Sequence, residues 1–362
     1  MTERTDIVVI GGGVIGMSIA YYCARAGIGV TVVEKGTPGH ATTAQTARVV
    51  RSYFPGRAHD TALAARSLDE YRALANAGAP LDLSRTGFLV VLTHDEQVER
   101  LIAELPFQQA AGASVEMVTA ERAIQLNPLL DPTGIKAAVW SPQAFSCDPQ
   151  EIVNAFAAGA VRSGARLLNN TSVDGLDADA GEVQTTVGKL KAGAVVCAAG
   201  PWSGDIAAMA GMELPVAPRP SELMISDVID FPITPPFTLH PESQLRTRRL
   251  GESLLVGLEG IPKSGDERAT WHRAVRAEVN RRYPTLEDVP LRTAWRGALD
   301  VATTRTAFIG RAPGAHKRLF YAAGFSGRGL CEAPAVGQAI RDLYLARPIE
   351  IDLRPFSPER PS

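Results

Sequence analysis

Residues 6–16 read Asp6-Ile7-Val8-Val9-Ile10-Gly11-Gly12-Gly13-Val14-Ile15-Gly16. The short apolar run at 6–10 has the character of a buried strand, and G-x-G-x-x-G follows it at once. In that pattern Gly11 permits the tight turn. Gly13 lacks the Cβ that would hold a pyrophosphate away from the backbone, and Gly16 lets the next helix pack on the strand. Amides and the dipole at that helix start favour phosphate charge. A second apolar run, 30–33, ends at Glu34, eighteen residues beyond Gly16. A carboxylate placed there accepts hydrogen bonds from ribose hydroxyls. Strand, helix and terminal acid in register predict a dinucleotide site. A glycine-rich turn in an unrelated α/β protein is the alternative.

The bulk properties narrow the class. A chain of 362 residues exceeds one ordinary core, so two domains are expected. Hydrophobic residues make up 45% and charged residues 21%, as in soluble globular proteins. The net charge of −2, with acids and bases mixed along the chain, argues against a nucleic-acid surface, which needs a basic face. No apolar stretch reaches the roughly twenty residues of a membrane span. The polar start, Met1-Thr2-Glu3-Arg4-Thr5-Asp6, does not read as a signal peptide. Cys23, Cys147, Cys197 and Cys331 form no C-x-x-C pattern, which suits buried reduced thiols in a cytoplasmic protein. The N-x-[ST] matches at Asn169 and Asn170 are then chance. The six histidines show no metal-ligand spacing, so no metal site is expected.

Along the chain, strand–helix–strand is predicted at 6–10, 14–26 and 30–34, with Gly27 ending the helix. A polar loop at 36–57 is longer than most connections, and long ordered loops are often functional. Leu63, Leu68, Tyr71 and Leu74 give helical spacing over 61–76. A strand is expected at 88–92 and helices at 96–105 and 120–126. An Ala-rich helix at 149–163 has Asp148 as its N-cap. Strands follow at 165–168, 183–186 and 194–198; the last turns sharply at 199–203 into a helix. Then come strands at 223–228, 244–248 and 253–258, a helix at 267–283, a buried strand at 320–323 and a final helix at 333–345. Nucleotide-type elements thus stand at the start, middle and end. This interleaving predicts an α/β fold in which one domain is assembled from 1–80, 148–213 and 305–362. A second domain, 81–147 and 214–304, is inserted into it.

Three further stretches are specific. They are Thr42-Thr43-Ala44-Gln45-Thr46-Ala47-Arg48-Val49-Val50-Arg51, the A-A-G-x-W-S turn Ala198-Ala199-Gly200-Pro201-Trp202-Ser203, and the ending Trp295-x-Gly297 … Ile309-Gly310 … Gly324-Phe325-Ser326-Gly327-Arg328-Gly329. Through them most of the chain resembles the flavin-dependent D-amino acid oxidase superfamily, in particular its sarcosine oxidase and glycine oxidase branch. The resemblance implies a two-domain flavoprotein: a Rossmann-like FAD domain with an inserted mixed or antiparallel-sheet substrate domain. It implies FAD as cofactor, with Gly11, Gly13, Val14, Ile15 and Gly16 at the pyrophosphate. Glu34 would hold the adenosine ribose with Lys35 beside it. Thr42, Thr43, Ala47 and Arg48 match loop residues passing over phosphate and flavin, and Val173 matches a position whose backbone meets the adenine. Ala199, Gly200 and Trp202 belong to the second turn. Gly324, Ser326, Gly327, Arg328, Gly329 and Leu330 match the turn at the flavin pyrimidine edge. Backbone N–H groups at that glycine-rich helix start suit the negative charge of reduced flavin. Arg328 occupies the fifth position, so the segment is not a G-x-S-x-G hydrolase elbow.

The implied reaction oxidises a C–N bond: hydride passes from the carbon beside a neutral amine to flavin N5, leaving an imine. The electron acceptor is oxygen or another oxidant. The family's substrate-facing arginine corresponds to Arg51, whose fork pairs with both oxygens of a carboxylate. Four family residues are replaced. The lysine for the substrate carboxylate corresponds to Cys331 and the lysine that speeds oxygen reduction to Leu255. The cysteine that bonds the flavin corresponds to Asp300, and an active-site histidine to Glu259. These replacements imply non-covalent FAD and a different substrate, and they leave rapid oxidase activity open. Glu259 could attract a cationic amine. Arg246 and Arg248, on one face of a strand by alternation, could bind a carboxylate in place of the lost lysine. The chain is therefore expected to be an amine or amino-acid oxidase or dehydrogenase. Two alternatives remain: a 2-hydroxy-acid oxidoreductase on the same scaffold, and an electron-transferring flavin subunit of a larger complex.

Overall fold

The apolar runs pair side by side. In the computed structural model of the protein, which describes residues 3–260 and 265–359, Glu3–Ile10 lies between Val30–Val33 and Gly188–Cys197, all parallel. Residues 1–2 and 360–362 of the outer chain segments and 261–264 within 214–304 lie outside the described residues. Arg166–Leu168 extends this sheet beyond Val30–Val33, and Leu319–Ala323 extends it beyond Gly188–Cys197, again in parallel. Antiparallel strands Phe308–Arg311, Glu182–Thr185 and Val173–Asp177 complete eight strands. Parallel strands covered on both faces need continuous apolar runs, and every residue of Val30–Val33 and of 7–10 is buried.

Helices Val14–Arg25, Pro149–Arg162 and Gly329–Tyr344 cover one face. Asp148 caps the second of these, its carboxylate accepting the Gln150 amide at 2.8 Å. The first and last helices approach until a Cβ on Gly337 would stand 2.5 Å from Ser18 Oγ, and that hydroxyl donates to the Ala333 carbonyl at 2.7 Å.

The last helix begins at Gly329, four residues before the predicted start at 333, because the cost of Pro334 is met elsewhere. Proline cannot donate to the carbonyl one turn back, here that of Leu330. The buried Tyr71 hydroxyl, on helix Ala58–Asn76, donates to Leu330 O at 2.8 Å instead. Behind this turn sits a buried charge cluster. Arg328 Nε lies 3.1 Å from Asp60 and 3.3 Å from Glu332. Burial, and after it the Asp60 charge, push the Glu332 carboxyl well above its ordinary range, and Asp60 is the nearer partner of Arg328.

A second eight-stranded sheet is built from 88–141 and 216–302. It is mixed: Phe88–Leu92 runs parallel to Phe237–His240, and the other neighbours are antiparallel. Val216–Ser226 begins seven residues earlier than the strand expected at 223. It pairs along its length with Leu291–Ala302 but meets Ser253–Gly257 only at Met224 and Ile225. Pro218 and Pro220 therefore sit on an open edge, where a missing N–H breaks no ladder. Helix Asp95–Ala110 likewise continues through Pro106, beyond its expected end at 105. Helix Gly265–Arg282 packs Trp271, Val275 and Val279 on the second sheet. Val49–Arg51, Ser84–Arg85 and Ala144–Ser146 form a small third sheet.

The long helix is pinned at Glu222, which is 1% exposed. Arg268 embraces its carboxylate at 2.8 and 2.7 Å, with His272 at 2.8 Å and Thr293 at 2.7 Å. Burial disfavours the charge, but the bonds from Arg268, Thr293 and His272 outweigh it, and the carboxyl falls to about 2. The folded carboxyl thus titrates below its ordinary 4.5. Its contribution is full above that value and is lost as pH falls towards 2. All four cysteines are free and buried. Among the described residues no helix is long and apolar enough to cross a membrane.

Two outcomes are expected from urea unfolding. Tyr71→Phe strands a buried carbonyl and costs about 1–3 kcal/mol, and adding Pro334→Ala, which restores an amide donor, recovers part of that loss. Glu222→Gln flattens the fall in stability between pH 5 and pH 2 relative to the parent protein; an unchanged acid limb would show that Glu222 does not carry it.

Candidate functional site

Four parallel strands end on one edge of the first sheet, in the order Val30–Val33, Glu3–Ile10, Gly188–Cys197, Leu319–Ala323. The turns after all four line a single cavity. Three steps between neighbouring strands of about 4.8 Å give it a span of about 14 Å along that edge. The carboxyl ends of parallel strands are where α/β proteins bind ligands.

The first turn has the geometry its glycines require. Gly11 has φ +109°, and a Cβ there would stand 2.3 Å from the Ala198 carbonyl oxygen; one on Gly16 would stand 1.9 Å from the Gly11 carbonyl oxygen. Gly16 is thus a packing residue behind the cavity wall, whereas Gly11, Gly13, Val14 and Ile15 line it. The Val14 amide donates to Thr43 Oγ1 at 3.2 Å, so the 42–45 turn is seated on the helix start. Thr42, beside it, donates to the Ala298 carbonyl at 2.7 Å. Both threonines line the cavity.

Glu34 has a structural task that the motif does not disclose. Its two oxygens accept the Gly12 amide at 2.7 Å and the Gly36 amide at 2.8 Å. Each oxygen keeps a second acceptor site for a ligand hydroxyl. Lys35 lies with its ammonium 2.9 Å from the centre of the Trp202 ring. Burial lowers its pKa and the charge of Glu34 opposes that. Val173, Ala199, Gly200 and Trp202 line the same end, as do Thr171, Ser172 and Asp205, which sequence reasoning did not select. The small polar residues before Val173 were the available signal.

At the other end Gly327, Gly329 and Leu330 line the wall with Phe325, Leu299 and Asp300. The turn is bent by Gly324 at φ +78°, Ser326 at +53° and Gly327 at +89°. Gly324 and Ser326 shape it without lining the cavity. The Arg328 side chain points away, to Asp60 and Glu332, so its share in the wall is confined to the backbone around it. Asp300 Oδ2 accepts the Phe325 amide at 2.9 Å and Asp300 O accepts the Ser326 amide at 2.8 Å.

Ala47 and Arg48 also lie outside the lining. Their carbonyls accept Arg248 Nη1, at 2.9 Å for Ala47. Arg48 has φ +57°, and this grip holds that conformation. Arg248 is buried and spent on main-chain oxygens, which corrects the expectation that it presents its fork to a ligand. Arg51 sits with its guanidinium 3.8 Å from the Phe54 ring centre and 4.4 Å from that of Phe88, and it donates to the Tyr53 carbonyl. Burial lowers its pKa to about 10, so it stays charged at neutral pH. Glu259 is flanked by Arg246 at 3.7 Å and by Arg305. Its charge is already answered by two guanidinium groups, which weakens its case as a trap for a cationic amine. None of Arg51, Arg246 and Glu259 lines the cavity. Cys331 Sγ faces the Val49 carbonyl at 3.5 Å, and burial pushes the thiol up to about 11.

The cavity fits FAD: glycines whose backbone a ligand can reach at one end, a carboxylate beside them, and a glycine-rich helix start at the other. The comparisons agree. The profile of the DAO family, FAD dependent oxidoreductase, matches residues 6–343. Glycine oxidase of Pseudomonas putida is 30% identical, with 98% of each chain covered. Glycine oxidase of Geobacillus kaustophilus is 27% identical over 99% of this chain and 97% of its own. The crystal structure of L-proline dehydrogenase from P. horikoshii superposes with a TM-score of 0.90 at 28% identity, covering 99% of this chain and 98% of that one. The G. kaustophilus glycine oxidase structure gives 0.84 at 24% identity, with all of both chains covered. With the fold, the cavity and a family profile spanning nearly the whole chain in agreement, the protein belongs to the FAD dependent oxidoreductase family and is an FAD-dependent enzyme.

Proposed function

We propose that this enzyme oxidises the C–N bond of an amino acid or secondary amine to an imine, on FAD held without a covalent link. The observation that supports this most is the single cavity joining the amino-terminal glycine bend to the turn at the start of the last helix. When bound, FAD supplies the hydride acceptor. The chain's own residues bind and orient. In this reading 1–80, 148–213 and 305–362 form the FAD domain, and 81–147 and 214–304 form the substrate domain. Gly11, Gly13 and the first turn at Val14 hold the pyrophosphate, Glu34 the ribose, and the amides of Gly327, Gly329 and Leu330 the flavin. Arg51 receives the substrate carboxylate, with Arg246 next to it. The amine binds unprotonated, so no strong base is required.

Asp300 stands where the family's branch places its flavin-bonding cysteine, and a carboxylate does not form that thioether. Leu255 is 2% exposed and carries no charge to assist oxygen, which favours a different electron acceptor. The likeness to L-proline dehydrogenase supports that second reading, a dehydrogenase, as the likeness to glycine oxidases supports an oxidase. A cytoplasmic location belongs to the proposal too.

The purified protein is expected to be yellow, to release its FAD on denaturation, and to be bleached without oxygen by an amino acid or N-alkyl amine. The panel is glycine, sarcosine, D- and L-proline and 2-hydroxy acids; bleaching by a hydroxy acid alone would overturn the amine reading. Comparing peroxide yield with reduction of an artificial dye separates oxidase from dehydrogenase. Arg51→Met is expected to raise KM for a carboxylate substrate by about 10- to 100-fold, the worth of a hydrogen bond to a charged group, with the flavin spectrum unchanged.

A further inference from the structure

Among the described residues Asp300 is the one acidic side chain in the wall beside Gly327, and it grips the adjacent turn twice. Its carboxylate accepts the Phe325 amide at 2.9 Å and its carbonyl accepts the Ser326 amide at 2.8 Å. A bridge between Val301 and Phe325 locks the same junction. The residue is 7% exposed, yet it lines the cavity together with Leu299, Phe325 and Gly327. We propose that Asp300 is a positioning residue whose carboxylate fixes the Phe325–Gly329 turn and sets, by its protonation, the reduction potential of the FAD bound there. The inference rests on the reading of this turn as the flavin end of the cavity.

The charges around Asp300 leave its proton free to come and go near neutrality. From the last helix Arg328 and Glu332 face it; Arg328 is already paired with Asp60, and burial holds the Glu332 carboxyl well above its ordinary range. The strand opposite presents Pro218, with Arg219 exposed beside it. The 42–45 and 200–202 turns bring no ionisable side chain, and the other ionisable cavity residues, Glu34, Lys35 and Asp205, belong to the adenine end. Burial raises the Asp300 carboxyl to about 6, against the pull of the Phe325 amide and Arg328. Above that pH a negative charge stands in the wall. Reduction adds negative charge to the flavin, the two repel, and the reduced form is disfavoured. Below it the carboxyl is neutral and the reduced form is favoured.

The test is potentiometry of the holoprotein against redox dyes from pH 4.5 to 8.5, with the visible flavin spectrum followed in parallel. No substrate is needed, so a wrong substrate class leaves the result intact, and a protein that takes up no FAD is recognised by its lack of colour. The parent protein should show an inflection near pH 6 in both readouts. Asp300→Asn should remove it and give a more positive potential at pH 8, and Asp300→Glu should keep an inflection, displaced along the pH axis. An inflection that survives in Asp300→Asn, or a potential at pH 8 equal to the parent's, overturns the proposal. If Asp300→Asn fails to fold, a parent protein with no inflection in this range overturns it alone.

Discussion

The close contact between the first and last helices governs the geometry of the site. A glycine at 337 and a serine at 18 let the two backbones approach until a single methyl would not fit. The hydroxyl of Ser18 then ties the pair by bonding to Ala333 O. The consequence lies at the helix starts. Val14 and Gly329 both open into one cavity, so two positive dipole ends, each worth about half a charge, face the same ligand. A wider spacing would leave two separate anion sites instead of one extended pocket.

Electrostatics behind the wall serve this arrangement. A buried arginine is costly unless paired, and Arg328 is paired on the far side of the turn, with Asp60. Burial and the Asp60 charge hold the Glu332 carboxyl well above its ordinary range, which disfavours a second buried charge. Tyr71 meets the backbone defect left by Pro334. The start of the last helix is thus fixed by Arg328, Asp60, Glu332 and Tyr71, none of which lines the cavity.

The part of this site that is local in sequence was legible in sequence. Gly11, Gly13 and Glu34 announce themselves because the turn demands particular residue types at fixed spacing, and Asp148 because a cap needs an acceptor before the helix. What depends on distant partners was not legible. Arg248 looked like a ligand for a carboxylate, but it holds carbonyls two hundred residues away. Arg328 falls in the right turn, yet its side chain leaves the site. Prolines misplaced three boundaries: the open edge at Pro218 and Pro220, the helix that continues through Pro106, and the start of the last helix, where Tyr71 compensates for Pro334. Composition records the missing amide but not the neighbour that makes it harmless.

The order of strands in the first sheet has a consequence for biosynthesis. The opening strand finds one neighbour at once, in 30–33, but its other neighbour lies at 188–197 and the lid of its helix at 329–344. At about 5–20 residues per second, roughly fifteen to sixty seconds of translation separate the first helix from its cover. Through that interval the nascent chain displays an almost wholly apolar segment, 14–24, to solvent and chaperones. The pocket has no far wall until the turn at 324–329 has been made.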